Sequence, residues 1–588
     1  MKVLSDQQDS RLGYGALQRD VRGDVVGAAL AAWFGEGNET MTGNGHSRTA
    51  EVDAVIIGAG FSGLYMLHKL RNEMGLTARV FEAGGGVGGT WYWNRYPGAR
   101  SDSDSYVYGF TFDEELWREW QWSERYPEQQ EVRAYLEHVA ERYDLSRDIA
   151  LNTRVESATF DEATNLWTVM IDPGKTVTSS YVITAVGALS ASHTPPFAGI
   201  DTFRGESYHT GLWPHEKVDF TGKRVGVIGT GASAVQAVPL IAKEASDLIV
   251  FQRTANYILP ARNGPVPEDV KKARLEDWAG IRERIQNSAF GFELPLLEKG
   301  ALESTDEEIH DALMTRWDEG GFGIWVGGYV DIFYTDEANA KVREFLHDRI
   351  QEKVHDPETA RLLTPAAYPF GVKRVPLDSG YFETFNEPHV HLIDVKSNPI
   401  TEITPMGVKL RDGTEHEFDV IVYATGFDAM TGPLNRIDIR GRRGHLLREK
   451  WEDGPRTYLG LTSAGFPNLF TITGPQSPSV LSNMPVSIEQ HGDLIGKIIA
   501  DLRERGAETI EPTQEAEDAW VAYNAELVKP TLFEKADTWY MGANIPGKPR
   551  VFMPHLGFVG PYRAKCDEVV GNDYEGFVFD ARPQGASA

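Results

Sequence analysis

The sequence predicts an α/β protein made of two Rossmann-like dinucleotide-binding domains with a helical insertion, and three observations predict it. Two glycine turns, Gly58-Ala-Gly60-Phe-Ser-Gly63 and Gly229-Thr-Gly231-Ala-Ser-Ala234, each follow a β-branched run and open an apolar helical pattern. The 588 residues exceed what one hydrophobic core usually supports. Between the second turn and the last third of the chain, residues 260–369 are rich in helix formers, as at 306–317 and 336–354.

The first unit reads as strand, turn, helix: residues 52–57, the glycines, then Leu64, Leu67 and Leu70 at helical spacing. Gly58 permits the tight turn, Gly60 lets backbone approach a pyrophosphate, and Gly63 lets helix and strand pack closely. Glu82 ends the next strand, 78–81, and lies 24 residues past Gly58. A carboxylate at that spacing accepts hydrogen bonds from an adenosine ribose, which favours FAD or NAD. The second unit starts at 224–228, and Ala234 still permits close helix packing. Its strand at 248–252 ends in Arg253-Thr254, with Arg253 again 24 residues past the first glycine, Gly229. An arginine there pairs with a 2'-phosphate through two parallel hydrogen bonds and points to NADPH. Two nucleotide sites of opposite preference imply electron transfer from NADPH to a bound flavin. The apolar runs at 181–187 and 419–426 each end in a small-residue turn and read as returns between the two domains, where hinge motion would occur.

Composition narrows the partners. With 58 Lys+Arg against 86 Asp+Glu the net charge is -28, which opposes nucleic acid phosphates and anionic lipid. The single cysteine, Cys566, excludes an internal disulfide, a Cys-x-x-Cys pair and a multi-cysteine metal site, and fits a reducing cytosol. No metal-ligand cluster, repeat or low-complexity tract stands out. The N-terminus lacks a basic start followed by an apolar core, and the run at 25–34 is too short to cross a bilayer. A cytoplasmic protein is expected. Residues 1–50 form an extension whose end, 35–47, reads as a linker; 25–34 is a short packed helix or part of a mobile tail.

Just before the second unit stands Phe203-Arg-Gly205-Glu-Ser-Tyr-His209-Thr-Gly-Leu-Trp213-Pro214, which resembles the F-x-G-x-x-x-H-x-x-x-W-P fingerprint of type I Baeyer-Villiger monooxygenases. Related N-hydroxylating and flavin-containing monooxygenases usually carry tyrosine or phenylalanine where Trp213 stands, so the tryptophan favours ketone oxygenation. The resemblance extends over nearly all of 51–588. It implies a flavin-lining stretch from Gly88 to Arg100 that includes Thr90 and Trp91, followed by Asp102 and Tyr108, with Val155 among the FAD contacts. It also implies Lys373 at the NADP 2'-phosphate, Arg374 over the flavin, and a mobile C-terminal segment with Trp539, Asn544 and Lys548. Ser101 and Ser103-Asp104 depart from a segment that commonly reads C-D-I-E. The extension resembles those of members acting on large or polycyclic ketones.

The implied reaction uses NADPH and O2 to convert a large cyclic, terpenoid or steroid-like ketone to an ester or lactone, through a C4a-peroxyflavin and a tetrahedral adduct. Arg374 would supply the fixed positive charge, Asp102 would hold that guanidinium, and Trp539 and Lys548 would close a lid against water. The FAD domain is expected at 51–176 and 424–588, the NADP domain at 188–259 and 370–423, and the insertion at 260–369. Residues 290–297 and the loop 474–484 are candidates for the substrate pocket. Two alternatives stay open: a flavin monooxygenase oxidising nitrogen or sulfur, and a nucleotide-sensing protein without oxygenase turnover. The ketone and the oligomeric state are not legible in the sequence.

Overall fold

The computed structural model describes residues 50–172 and 174–580. The expected helix or tail at 25–34 and the linker at 35–47 lie outside them. Two sheets carry the fold. The first is mixed, in the order Asp438–Arg440, Val155–Asp161, Leu166–Ile171, Lys175–Thr184, Val52–Ile57, Ala78–Phe81, Ile149–Ala150. The start of the long strand Lys175–Thr184 pairs antiparallel with Leu166–Ile171, and its end pairs parallel with Leu469–Thr471. The second sheet is all parallel: Val390–Asp394, Asp247–Gln252, Arg224–Ile228, Val420–Tyr423, Glu206–His209. Parallel strands covered on both faces need near-continuous apolar runs, and VIVY at 420–423 is wholly buried.

The two glycine turns are built alike. Gly58 and Gly229 hold φ of +105° and +116°, and a Cβ on them would sit 2.7 Å from the Ala185 carbonyl oxygen and 2.3 Å from that of Ala424. The hydrogen bonds correspond too. Ala185 N–H donates to Ile57 O and Ala424 N–H donates to Ile228 O, each at 2.9 Å. Each returning run thus closes against the glycine turn of its own sheet. Beyond the first turn, helix Phe61–Leu67 is buried along its whole length and continues as a π-helix over His68–Glu73. The long helix Met484–Glu504 packs on it, with Tyr65 donating to Asp493 Oδ1 at 2.7 Å.

The chain crosses between the sheets twice, and the crossings pair with each other. His193 N–H donates to Gly426 O (2.9 Å), Asp428 N–H to Ala191 O and Met430 N–H to Ala188 O (both 2.8 Å). Residues 188–193 and 426–430 therefore run as a short antiparallel ladder. The segment between the second turn and Arg374 is mostly helical, with Asp306–Glu319 opened by a Thr305/Glu308 capping box and Asp336–Lys353 capped by Thr335. The first of these runs two residues past the expected end, to Gly320 at φ +70°.

Gly63→Ala is expected to destabilise the protein by about 1–3 kcal/mol or more, because its Cβ would lie 1.8 Å from Gly58 O. Gly231→Ala, with nothing within 4 Å of the added methyl, should change stability by less than about 1 kcal/mol. Chemical denaturation of the two variants side by side checks both.

Candidate active site

Asp102 and Arg374, 272 residues apart, form a two-pronged ion pair. Arg374 Nε donates to Asp102 Oδ2 at 2.7 Å and Nη2 donates to Oδ1 at 2.6 Å, while Nη1 donates to Val480 O at 3.0 Å. Side-chain exposures of 21% and 25% leave the pair partly buried. The guanidinium also lies 5.3 Å from the Phe322 ring centroid and 5.9 Å from that of Trp325. Burial alone would lower the arginine's proton affinity, but the adjoining Asp102 carboxylate raises it above the ordinary value. Arg374 is therefore a permanent cation.

Each partner is delivered by a rigid local structure. Ser101 Oγ accepts from Ser103 N–H (3.1 Å) and donates to Ser103 O (2.9 Å), which closes a turn around Asp102. The two serines that depart from the usual C-D-I-E pattern are thus the ones that shape this turn. On the other side, Asn339, fully buried on helix Asp336–Lys353, accepts from Phe370 N–H (2.9 Å) and donates to Phe370 O (2.9 Å) and Ile332 O (2.8 Å). Trp325 Nε1–H donates to Gly371 O at 3.0 Å. Residues 370–371 are pinned to the helical segment, and Lys373 and Arg374 follow directly.

Lys373 lies near enough to Arg253 to feel its charge. Its ammonium lies 4.0 Å over the Tyr368 ring, and burial together with the Arg253 charge pushes it down to about 8. Among the described residues neither cation has a carboxylate within ion-pair distance. The Tyr368 hydroxyl reaches Asn256 Oδ1 (3.0 Å), and Asn256 Nδ2 donates to Thr230 O (2.6 Å), so the cation pair is tied to the second glycine turn. Thr230 Oγ1 donates to Thr254 O at 2.8 Å. No Cβ contact within 4 Å would face Gly231, which leaves the turn open above.

At the first turn, Glu82 is 5% exposed and accepts from Ala59 N–H (2.8 Å) and Gly84 N–H (2.7 Å). Each carboxylate oxygen keeps a free lone pair. Thr153 N–H donates to Glu82 O (2.8 Å), and buried Val155 follows at the start of its strand. Thr90 is exposed at the start of helix Thr90–Trp93, after Gly89 at φ +54°. Buried Trp91 packs edge-on against Tyr108 at 5.8 Å, and Tyr108 in turn against Phe61 at 5.4 Å. Burial and then the Asp102 charge push the Tyr108 phenol well above the usual range. The two pocket candidates also meet: Asn483 N–H donates to Phe290 O at 2.8 Å.

A family model described as Flavin-binding monooxygenase-like matches residues 52–270. A Baeyer-Villiger monooxygenase of Pseudooceanicola batsensis is 42% identical over 543 residues, 92% of this chain and 98% of that protein. The chain belongs to the Baeyer-Villiger monooxygenases. A solved structure described as oxidized steroid monooxygenase bound to NADP is similar at 46% identity and a TM-score of 0.86, covering 90% of this chain and 99% of that one. Phenazine N-monooxygenase PhzNO1 of Lysobacter antibioticus is 42% identical over 541 residues, 91% of this chain and 98% of its own.

The fingerprint of this Baeyer-Villiger family acquires a physical reading. A Cβ on Gly205 would lie 2.4 Å from Asp419 O and 2.6 Å from the Phe203 ring, so only glycine lets that ring lie against the sheet edge. His209 Nδ1 accepts from Gly211 N–H at 2.9 Å, which fixes the tautomer that donates from Nε2 to His193 O (3.2 Å). Thr425 Oγ1 donates to the same carbonyl at 2.6 Å. His209 thereby fastens the first crossing beside the second, and burial holds it neutral. Trp213, 6% exposed, packs between Tyr208 (5.3 Å) and Phe220 (6.3 Å) in the core of the second sheet. None of the four side chains forms part of the Asp102–Arg374 pair.

The C-terminal segment clasps the second crossing. Lys548 Nζ donates to Asp428 Oδ1 (2.6 Å) and Ala429 O (2.7 Å), and Asn544 Nδ2 donates to Phe427 O (2.8 Å). Trp539 is half-buried with its ring 4.3 Å from that of Tyr540. Sequence reasoning missed Asn339, Trp325 and Asp428, and it gave no role of their own to Val480, inside the pocket-candidate loop 474–484, or to Tyr540, beside Trp539 in the C-terminal segment. Only Asn339 left a signal, as an amide on the apolar face of a helix beside Ala338, Val342 and Phe345. Lys548→Ala is expected to release the clasp, so that limited proteolysis within 537–550 accelerates by about tenfold while the melting temperature barely moves.

Proposed function

We propose that this chain binds FAD at the Gly58 turn and NADPH at the Gly229 turn and uses O2 to convert a ketone to an ester or lactone, with large cyclic or steroid-like ketones as its substrates. The observation that carries the reading is a fixed guanidinium, oriented by Asp102, in a chain that also builds two dinucleotide turns. The steroid monooxygenase likeness supports the substrate class. In this reading residues 51–176 and 424–588 form the FAD domain, 188–259 and 370–423 the NADP domain, and 260–369 the insertion. A cytosolic setting is part of it, supported by one cysteine, buried Cys566, and by the absence among the described residues of any helix long and apolar enough to cross a membrane.

The residues present fit both dinucleotides. At the first turn Glu82 has lone pairs free for ribose hydroxyls, Gly60 packs against the backbone of Gly89 where a larger side chain would crowd, and Thr90, Trp91, Asp102, Tyr108 and Val155 are the residues that would contact the flavin. At the second, Gly229, Gly231 and Ala234 present backbone, and Arg253, Thr254 and Lys373 take the 2'-phosphate. Bound FAD supplies the redox chemistry, accepting a hydride from NADPH and reacting with O2. Arg374 stabilises negative charge that develops on oxygen at the ketone, and Asp102 keeps its guanidinium aimed there. The clasp of Lys548 and Asn544, with Trp539, would keep water from the flavin site.

Arg374→Ala is expected to leave flavin reduction by NADPH in place while ester formation falls by about 10²-fold or more and NADPH consumption is diverted to hydrogen peroxide. Normal ester formation by that variant would refute the assignment. Lys373 makes a second prediction. Its ammonium is lost as pH rises through about 8, whereas the 2'-phosphate charge is constant there. The KM for NADPH should therefore climb between pH 7.5 and 9.5, by about tenfold for one lost ion pair, while the KM for NADH stays level and Lys373→Arg flattens the climb.

A second reading, oxidation of nitrogen or sulfur, is supported by the phenazine N-monooxygenase likeness. A direct competition between a cyclic ketone and a tertiary amine or thioether decides between them, since heteroatom oxidation gains nothing from a fixed cation beside a carbonyl.

A further inference from the structure

Tyr540 is 0% exposed, and its hydroxyl has no hydrogen-bond partner. Buried hydroxyls are almost always paired, so this one marks a ligand-binding group or a defect. Its place in the fold argues for the first. Tyr540 O accepts from Met553 N–H (2.9 Å), Met553 O accepts from Gln476 N–H (2.6 Å), and the loop so anchored carries the Val480 carbonyl that holds Arg374. The phenol shares its core with Trp325, Val372 and Val375, and it feels both the Arg374 and the Asp102 charges.

Counting donors shows what is missing. A guanidinium has five N–H groups. Arg374 uses Nε–H and one Nη2–H on Asp102 and one Nη1–H on Val480 O, which leaves one N–H on each Nη. Asp102 has both oxygens engaged by the arginine. The corner therefore holds two N–H groups and one O–H without a close partner; the phenol oxygen faces the guanidinium as acceptor for one N–H, and a carbonyl oxygen with two lone pairs can take the other N–H and the O–H. Burial keeps Tyr540 a phenol, so it donates a proton and does not remove one.

We propose that Tyr540 is a further catalytic residue, whose hydroxyl donates a hydrogen bond to the carbonyl oxygen of the bound ketone alongside Arg374. The inference rests on the reading of the Asp102–Arg374 pair as the reaction centre. As the carbonyl carbon becomes tetrahedral, the oxygen gains negative charge and both hydrogen bonds strengthen. A thioether has no such oxygen, so the hydroxyl distinguishes ketone from thioether.

The test is isotope-edited infrared spectroscopy of a cyclic ketone labelled with 13C at the carbonyl, bound to the oxidised, NADP-loaded holoenzyme. Tyr540→Phe, which preserves the packing of the ring, should move the bound carbonyl stretch to higher wavenumber. The same variant should lower the ketone-to-thioether turnover ratio by about tenfold, the loss of one neutral donor. Replacing Tyr540 by 3-fluorotyrosine, a stronger donor, should move the stretch the other way and serves if the phenylalanine variant fails to fold. An unchanged stretch and ratio in Tyr540→Phe, with a shifted stretch in Arg374→Ala, would overturn the role of Tyr540 and leave the reaction centre standing. Weakened NADP binding with an unchanged stretch would assign the hydroxyl to the dinucleotide and also overturn it. A wild-type enzyme that forms no ester, with a stretch that neither variant moves, would remove the reading beneath it.

Discussion

The structure depends on one constraint: a guanidinium must be held charged, aimed and partly dry at the place where two dinucleotide folds face each other. Arg374 cannot meet it alone. A carboxylate from 272 residues away orients two of its nitrogens, a loop carbonyl takes the third, and aromatic rings cover its face. Removing a charge from water is costly unless it is paired, and Asp102 offsets that cost while leaving one N–H on each Nη nitrogen free. Much of the surrounding architecture serves the alignment of these two side chains. The serine turn at 101–103 presents one, and the buried amide of Asn339 presents the other.

The second organising feature is the likeness of the two nucleotide units. Each glycine turn is closed by its own returning run, where the N–H of Ala185 or Ala424 donates to the residue before the first glycine and the carbonyl fills the space of a Cβ, and each return then passes straight into a crossing. The two crossings hydrogen-bond to each other, His209 and Thr425 grip the same His193 carbonyl, and the C-terminal segment locks onto Asp428. A fingerprint histidine that lies outside the Arg374 site thus acts through geometry: it sets the path along which one sheet is joined to the other.

What was legible in the sequence was local. The strand, glycine turn and acid or arginine of each unit follow from spacing within 24 residues, and the observed strands Val52–Ile57, Ala78–Phe81 and Arg224–Ile228 match the expected ones. Period and turn chemistry act over such distances. The meeting of Arg374 with Asp102 came only from the family resemblance, because no periodic signal links residues so far apart, and the approach of Lys373 to Arg253 was not legible at all. The ladder between 188–193 and 426–430 was likewise invisible, since backbone pairing leaves no trace in side-chain pattern. Tyr540 was legible only as the neighbour of Trp539 in the C-terminal segment, and nothing in the sequence separates it from core filling; its buried, unpaired hydroxyl does.

With FAD bound, this chain would couple NADPH oxidation to oxygen insertion at a ketone, with its C-terminal clasp keeping water from the flavin site. The most direct test is anaerobic reduction of the FAD-loaded protein with NADPH, followed by stopped-flow mixing with oxygen in the absence of substrate. The account predicts a flavin spectrum distinct from both the reduced and oxidised forms, which persists in buffer and collapses to oxidised flavin within the mixing experiment only when a ketone is present, with ester as the product. Immediate return to oxidised flavin with an equivalent of hydrogen peroxide, indifferent to any ketone, would contradict it.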